Sequence, residues 1–121
     1  MAVDSRGVLP VEVRVVPAGQ EVAITGRIDV HSVADVRLLL HEIIDTGCGD
    51  VHVRLGSAEI GDATGLGVLV EAYNRARRAG RRLAVVDMTE RTGRLLRASR
   101  LDRALVLRDS AGPSTVSAVT A

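Results

Sequence analysis

The sequence predicts an α/β protein with a mixed, largely parallel β-sheet, an antiparallel hairpin at its amino end, and three to four α-helices covering the sheet. Three observations lead there. Short runs in which apolar residues alternate take turns with longer ones in which they recur at three- and four-residue steps. Tyr73 is the only aromatic residue, so the interior has to be built from Val, Leu, Ile and Ala, a composition suited to strands packed under helices. Strands separated by helices join through right-handed crossovers, which makes them parallel neighbours.

Residues Val11 to Val16 alternate before Pro17-Ala18-Gly19, and Val22, Ile24 and Ile28 continue after it, so two strands meet in a tight turn. From Ser32 the period becomes helical, with Val33, Val36, Leu40 and Ile43 in the stripe and Leu39 and Ile44 widening it. Ser32 or Asp29 opens this helix and Gly47 stops it. Val51, Val53 and Leu55 form a third strand, followed by an irregular segment over residues 56–61. A second helix starts at Asp62 with a stripe of Leu66, Leu69, Val70, Tyr73 and Ala76, an i, i+4 pair of Glu71 and Arg75, and an end at Gly80. Leu83 to Val86 make the fourth strand. Thr89 opens a third helix that uses Leu95, Leu96, Ala98 and Leu101 and is interrupted by Gly93, where glycine costs about 1 kcal/mol against alanine. Leu105 to Leu107 are read as a last short strand.

At 121 residues the chain fits one domain. The expected division is a flexible start over residues 1–10, the domain over residues 11–109, and a disordered tail over residues 110–121. All sixteen basic residues are Arg, and fifteen acids leave a net charge of +1, which supplies no broad field for nucleic acid or an anionic membrane. No apolar run approaches the roughly 20 residues of a membrane span, and a lone Cys48 excludes an internal disulfide. The expected setting is cytoplasmic and soluble, with no membrane insertion.

Motifs that carry catalysis or cofactors are missing. With no lysine in the chain, Schiff-base chemistry and the Walker phosphate grip are excluded, and His31, His41 and His52 fall at no metal-site spacing, which leaves them surface or capping roles. Cys48 is read as a loop residue, since no cation or second thiol lies beside it. The informative stretch is Asp62-Ala63-Thr64-Gly65-Leu66-Gly67-Val68-Leu69. An acid at Asp62 caps the second helix by accepting hydrogen bonds from its first amides. Gly65 and Gly67 lower helicity and make sense where another surface approaches the backbone closely. Asp29, at the end of the neighbouring strand, is expected to share one edge with Asp62. Two carboxylates without a third ligand or a histidine do not make a metal or acid–base site.

These residues carry a resemblance. Gly26-Arg27-Ile28-Asp29, the stretch from Asp62 to Leu69, and Ala76-Arg77-Arg78-Ala79-Gly80-Arg81-Arg82-Leu83 resemble the STAS domains of bacterial anti-sigma factor antagonists over about Val11 to Leu107. The Asp-x-Ser/Thr-Gly-Leu-Gly block is the specific part, and the Leu-Leu-x-x-x-x-Leu-Asp pattern from Leu95 to Asp102 supports it. The resemblance implies a STAS-like (SpoIIaa-like) fold and a regulator of transcription that binds a serine-kinase-type anti-sigma factor, with no enzyme activity and no cofactor. It places partner binding on Asp29, Asp62, Ala63, Thr64, Gly65, Leu66 and Gly67, and leaves a weak homodimer open. In that family, phosphorylation of the hydroxyl residue after the motif aspartate breaks the contact. This chain has Ala63 there, so the usual switch lacks its acceptor. Thr64 stands one step further on, either as a replacement acceptor or as a capping residue of the first turn. Arg54, where related strands often carry an acid, and Gly93 are further departures. The alternative implied by the same resemblance is an accessory subunit of a lipid-transport or other transporter assembly.

Overall fold

The structure is a computed structural model that describes residues 11–106. The expectations for residues 1–10, for the tail and for Leu107 lie outside the described residues. Strands β1 (Val11–Val16) and β2 (Gly19–Ile28) form the expected antiparallel hairpin. Helix α1 (Val33–Thr46), β3 (Asp50–Ile60), α2 (Ala63–Arg78), β4 (Leu83–Met88), α3 (Glu90–Ala98) and α4 (Asp102–Leu105) follow. The sheet order is β1-β2-β3-β4, with β2, β3 and β4 parallel, as right-handed crossovers through α1 and α2 require.

One face of the sheet is apolar. Val22, Ile24 and Ile28 of β2, Val51, Val53 and Leu55 of β3, and Leu83 and Val85 of β4 pack in one cluster with Val36, Leu40 and Ile44 of α1 and Leu69 and Ala72 of α2. Leu96 and Leu105 extend that cluster. The other face carries a row of ions across all four strands, in which Arg14 pairs with Glu21, Glu21 with Arg54 at 3.3 Å, and Arg54 with Asp87 at 3.8 Å. Arg54 therefore faces solvent as one link in a charged row.

Several expectations are corrected. Residues 56–61 are not irregular as a whole, because β3 runs on to Ile60, pairs with the end of β2 (Ile28 opposite Ile60) and buries Ala58 and Ile60. Gly56 and Ser57 hide this continuation by interrupting the apolar alternation. Of the last strand the described residues show a bridge of Val106 to Val85, while Leu105 closes a short helix instead. Gly93 does not interrupt α3, which runs through it. In α2 the buried residues are Gly65, Val68, Leu69, Ala72 and Ala76, so the stripe is rotated away from Val70. Glu71 and Arg75 do not pair with each other but with α1, as Arg37 donates to Glu71 at 2.7 Å and Arg75 to Asp45 at 2.6 and 2.9 Å. Of the histidines, His41 is half-buried against expectation, and its buried Nε2 has no hydrogen-bond partner among the described residues.

Arg81 is the buried cation of the fold. Its guanidinium donates to the carbonyls of Ile43, Ile44, Cys48 and Gly49 and to Gln20 Oε1 at 2.7–3.0 Å, with no carboxylate among these acceptors. The last turn of α1 carries no basic residue of its own. Arg81 thus supplies from α2–β4 the positive charge that the unpaired carbonyls and dipole of that helix end favour.

Candidate functional site

Parallel β2 and β3 end side by side, and the Gly61 amide donates to the Ile28 carbonyl at 2.9 Å. The loops leaving the two strands are thereby held together, and Asp29 and Asp62 share one edge as expected. Asp29 works inside its own loop. Its Oδ1 accepts from the His31 amide at 2.9 Å and its Oδ2 from Arg27 Nε at 3.0 Å, while its carbonyl takes the first amides of α1, from Ser32 and Val33. Ser32 holds the N-cap position of α1, yet its hydroxyl donates to the Arg27 carbonyl at 2.9 Å and makes no cap bond.

Asp62 joins the two loops. Oδ1 accepts from the Gly65 amide at 2.9 Å, which is the N-cap bond of α2, and Oδ2 accepts from the Val30 amide at 3.1 Å. These contacts hold its carboxyl below the ordinary range: the Gly65 amide is the largest cause, opposed by desolvation and helped by the Val30 and Thr64 amides and the charge of Arg27. With both oxygens committed to backbone amides, Asp62 is a structural acceptor and is not arranged as an acid or base.

Beyond Asp62 the first turn divides by face. Ala63, Thr64 and Gly67 are exposed, next to Val30 at 59% exposure and the exposed His31. Among the described residues the Thr64 hydroxyl takes part in no hydrogen bond, so capping falls to Asp62 and not to Thr64. Gly65 is corrected. It is buried, and a Cβ there would stand 2.1 Å from the Ile28 carbonyl oxygen. The close approach that requires glycine at 65 is made by β2 of the same chain. Gly67 has open space around it, with nothing within 4 Å of a built Cβ. Leu66 turns half-buried toward a cavity of about 450 Å³ that it lines with Ile60, Thr92 and Leu95, and Glu59 and Arg91 pair across it at 2.9 Å. Val30 is the surface residue that sequence patterning missed. The one signal available was an apolar residue stranded between Asp29 and His31.

The domain that carries this edge is similar to known proteins. A family model described as "Mlab, STAS domain" matches residues 11–108. Anti-sigma-B factor antagonists are similar over 75 residues, at 33% identity for Staphylococcus epidermidis and 29% for Staphylococcus aureus, in each case 62% of this chain and 69% of the relative. Among solved structures, an anti-sigma factor antagonist from Mycobacterium paratuberculosis superposes with a TM-score of 0.70 at 18% identity, covering 85% of this chain and 87% of that one. The anti-sigma factor antagonist SpoIIAA in its unphosphorylated form gives 0.66 at 14%, covering 80% and 86%, and at such identities the likeness is one of fold.

Proposed function

The chain belongs to the STAS domain family, and from that premise we propose that it is an anti-sigma factor antagonist that binds a kinase-type anti-sigma factor in the cytoplasm and so regulates sigma-factor-dependent transcription. It acts by binding and not by catalysis, in keeping with relatives named as antagonists. The observation that carries the reading is the corner at Asp62, where the carboxylate fixes two loops and the first turn of α2 presents Ala63, Thr64 and Gly67 beside Val30. Four small or short residues on a hydrogen-bonded corner let a second polypeptide approach the backbone closely.

Ala63 removes the acceptor of the usual switch. A phosphate at the position after the motif aspartate would bring about −1.5 to −2 charges next to Asp62 and add bulk at a close-fitting surface. Without it, association depends on the concentrations of the two proteins. Thr64, exposed and with no hydrogen bond from its hydroxyl among the described residues, is the remaining nearby acceptor.

Titration calorimetry against the organism's kinase-type anti-sigma factors tests the proposal. Asp62→Arg is expected to lower affinity at least a hundredfold while circular dichroism shows the fold intact, and unchanged affinity would contradict the assignment. Ala63 also favours a second reading, a non-switched accessory subunit of a transporter assembly. Recovery of the chain with a permease and an ATPase, and with no anti-sigma factor, would establish that one.

A further inference from the structure

Among the described residues β1 is the open edge of the sheet, with β2 on one side and no strand on the other. Its turn closes on Val16 opposite Gly19, so Val16, Arg14 and Glu12 direct their backbone groups to β2, and Val11, Val13 and Val15 direct theirs outward. The side chains divide by the same alternation. Val13 stands opposite the fully buried Val22 on the apolar face, yet Val13 is 44% exposed and Val15 85%. Glu12 and Arg14 lie on the ionic face, where Arg14 pairs with Glu21 and keeps 72% of its side chain exposed. Glu12 has no ion pair among the described residues.

We propose that this edge pairs with the same edge of a second copy of the chain, antiparallel and centred on Val13. A two-fold axis there sets Val13 against Val13 of the second copy and Val11 against its Val15, all with outward backbone groups free to exchange hydrogen bonds. On the opposite face the same axis sets Glu12 against Arg14 of the second copy, twice over. Edge strands are commonly protected by charges that repel a second copy. Here the two charges have opposite sign and sit symmetrically about Val13, so the device attracts its own image. The Arg14–Glu21–Arg54–Asp87 row gains Glu12 of the second copy as its next link, and the exposed valines gain cover. Five residue pairs make a small interface, which suits a weak and reversible dimer weakened by salt.

Sedimentation of the whole chain over a rising concentration series tests the proposal. The mass is expected to rise toward that of a dimer. Glu12→Arg, at a residue with no ion pair among the described residues, is expected to weaken association at least tenfold, and Arg14→Glu to do the same. An equimolar mixture of the two variants is expected to associate again, because each brings the charges the other lacks. Circular dichroism establishes that each variant is folded, and if Arg14→Glu is not, beside Glu21, the Glu12→Arg result decides alone. A chain that stays monomeric throughout, association unchanged by Glu12→Arg, or a mixture of folded variants that stays monomeric would each overturn it.

Discussion

Asp62 accepts a hydrogen bond from the Val30 amide at 3.1 Å, and this bond ties the loop after β2 to the helix that opens after β3. The same carboxylate caps α2 through the Gly65 amide, so one side chain sets both halves of the proposed docking corner. The folded-state pKa is lowered, chiefly by that cap bond. The stabilisation is therefore present above the ordinary aspartate value of about 3.9 and is lost as pH falls through the lower folded value. Asp62→Asn keeps a capping oxygen but not the charge. Thermal unfolding is expected to place it below the parent at pH 7, with the gap closing below about pH 4. A gap independent of pH would show that the charge is immaterial.

Gly65 and Gly67 are two residues apart and answer to opposite constraints. Gly65→Ala drives a methyl into the Ile28 carbonyl, 2.1 Å away, and is expected to cost about 1–3 kcal/mol. Gly67→Ala meets nothing within 4 Å and is expected to raise stability by about 1 kcal/mol through helix propensity. It is also expected to weaken partner binding, since the added methyl stands on the proposed docking face. Denaturant titration together with calorimetry separates the two effects.

Arg81 is expected to be indispensable to the monomer. Replacing it with Met leaves carbonyls at the end of α1, and Gln20 with them, without their donor, at a cost of about 3 kcal/mol or more. Arg81→Lys has three donors where the guanidinium has five, and should recover only part of the loss. Equilibrium urea unfolding of the three proteins checks the order.

Ala63→Ser restores a hydroxyl at an exposed first-turn position. With the proposed kinase-type partner and ATP, the variant is expected to gain one phosphate on residue 63 and to lose affinity at least tenfold, and the parent to gain none there. Intact-mass spectrometry and calorimetry on the same samples read both outcomes.

Element order, the hairpin and the Asp62 cap were legible because each rests on local chemistry, namely alternation, a turn and a short acid before a helical stripe. What the sequence hid depends on partners distant in the chain. The strand nature of residues 57–60 comes from pairing with Thr25–Ile28, and Gly56 and Ser57 carry no apolar signal of their own. The need for glycine at 65 arises from Ile28, 37 positions earlier, a contact that the local sequence does not display. Glu71 and Arg75 had good intrahelical spacing, but α1 offered each a partner. Val30 joined the candidate surface only when the Asp62 bond placed its loop beside α2.

Amide hydrogen exchange of the chain, alone and bound to the proposed anti-sigma factor partner, tests the proposed docking corner most directly. Added protection is expected at Val30 and His31 and through the first turn of α2, from Ala63 to Gly67, with the ionic face of the sheet unchanged. Exchange unaltered across that corner in a complex that has formed, or protection gathered on the ionic face instead, would contradict it.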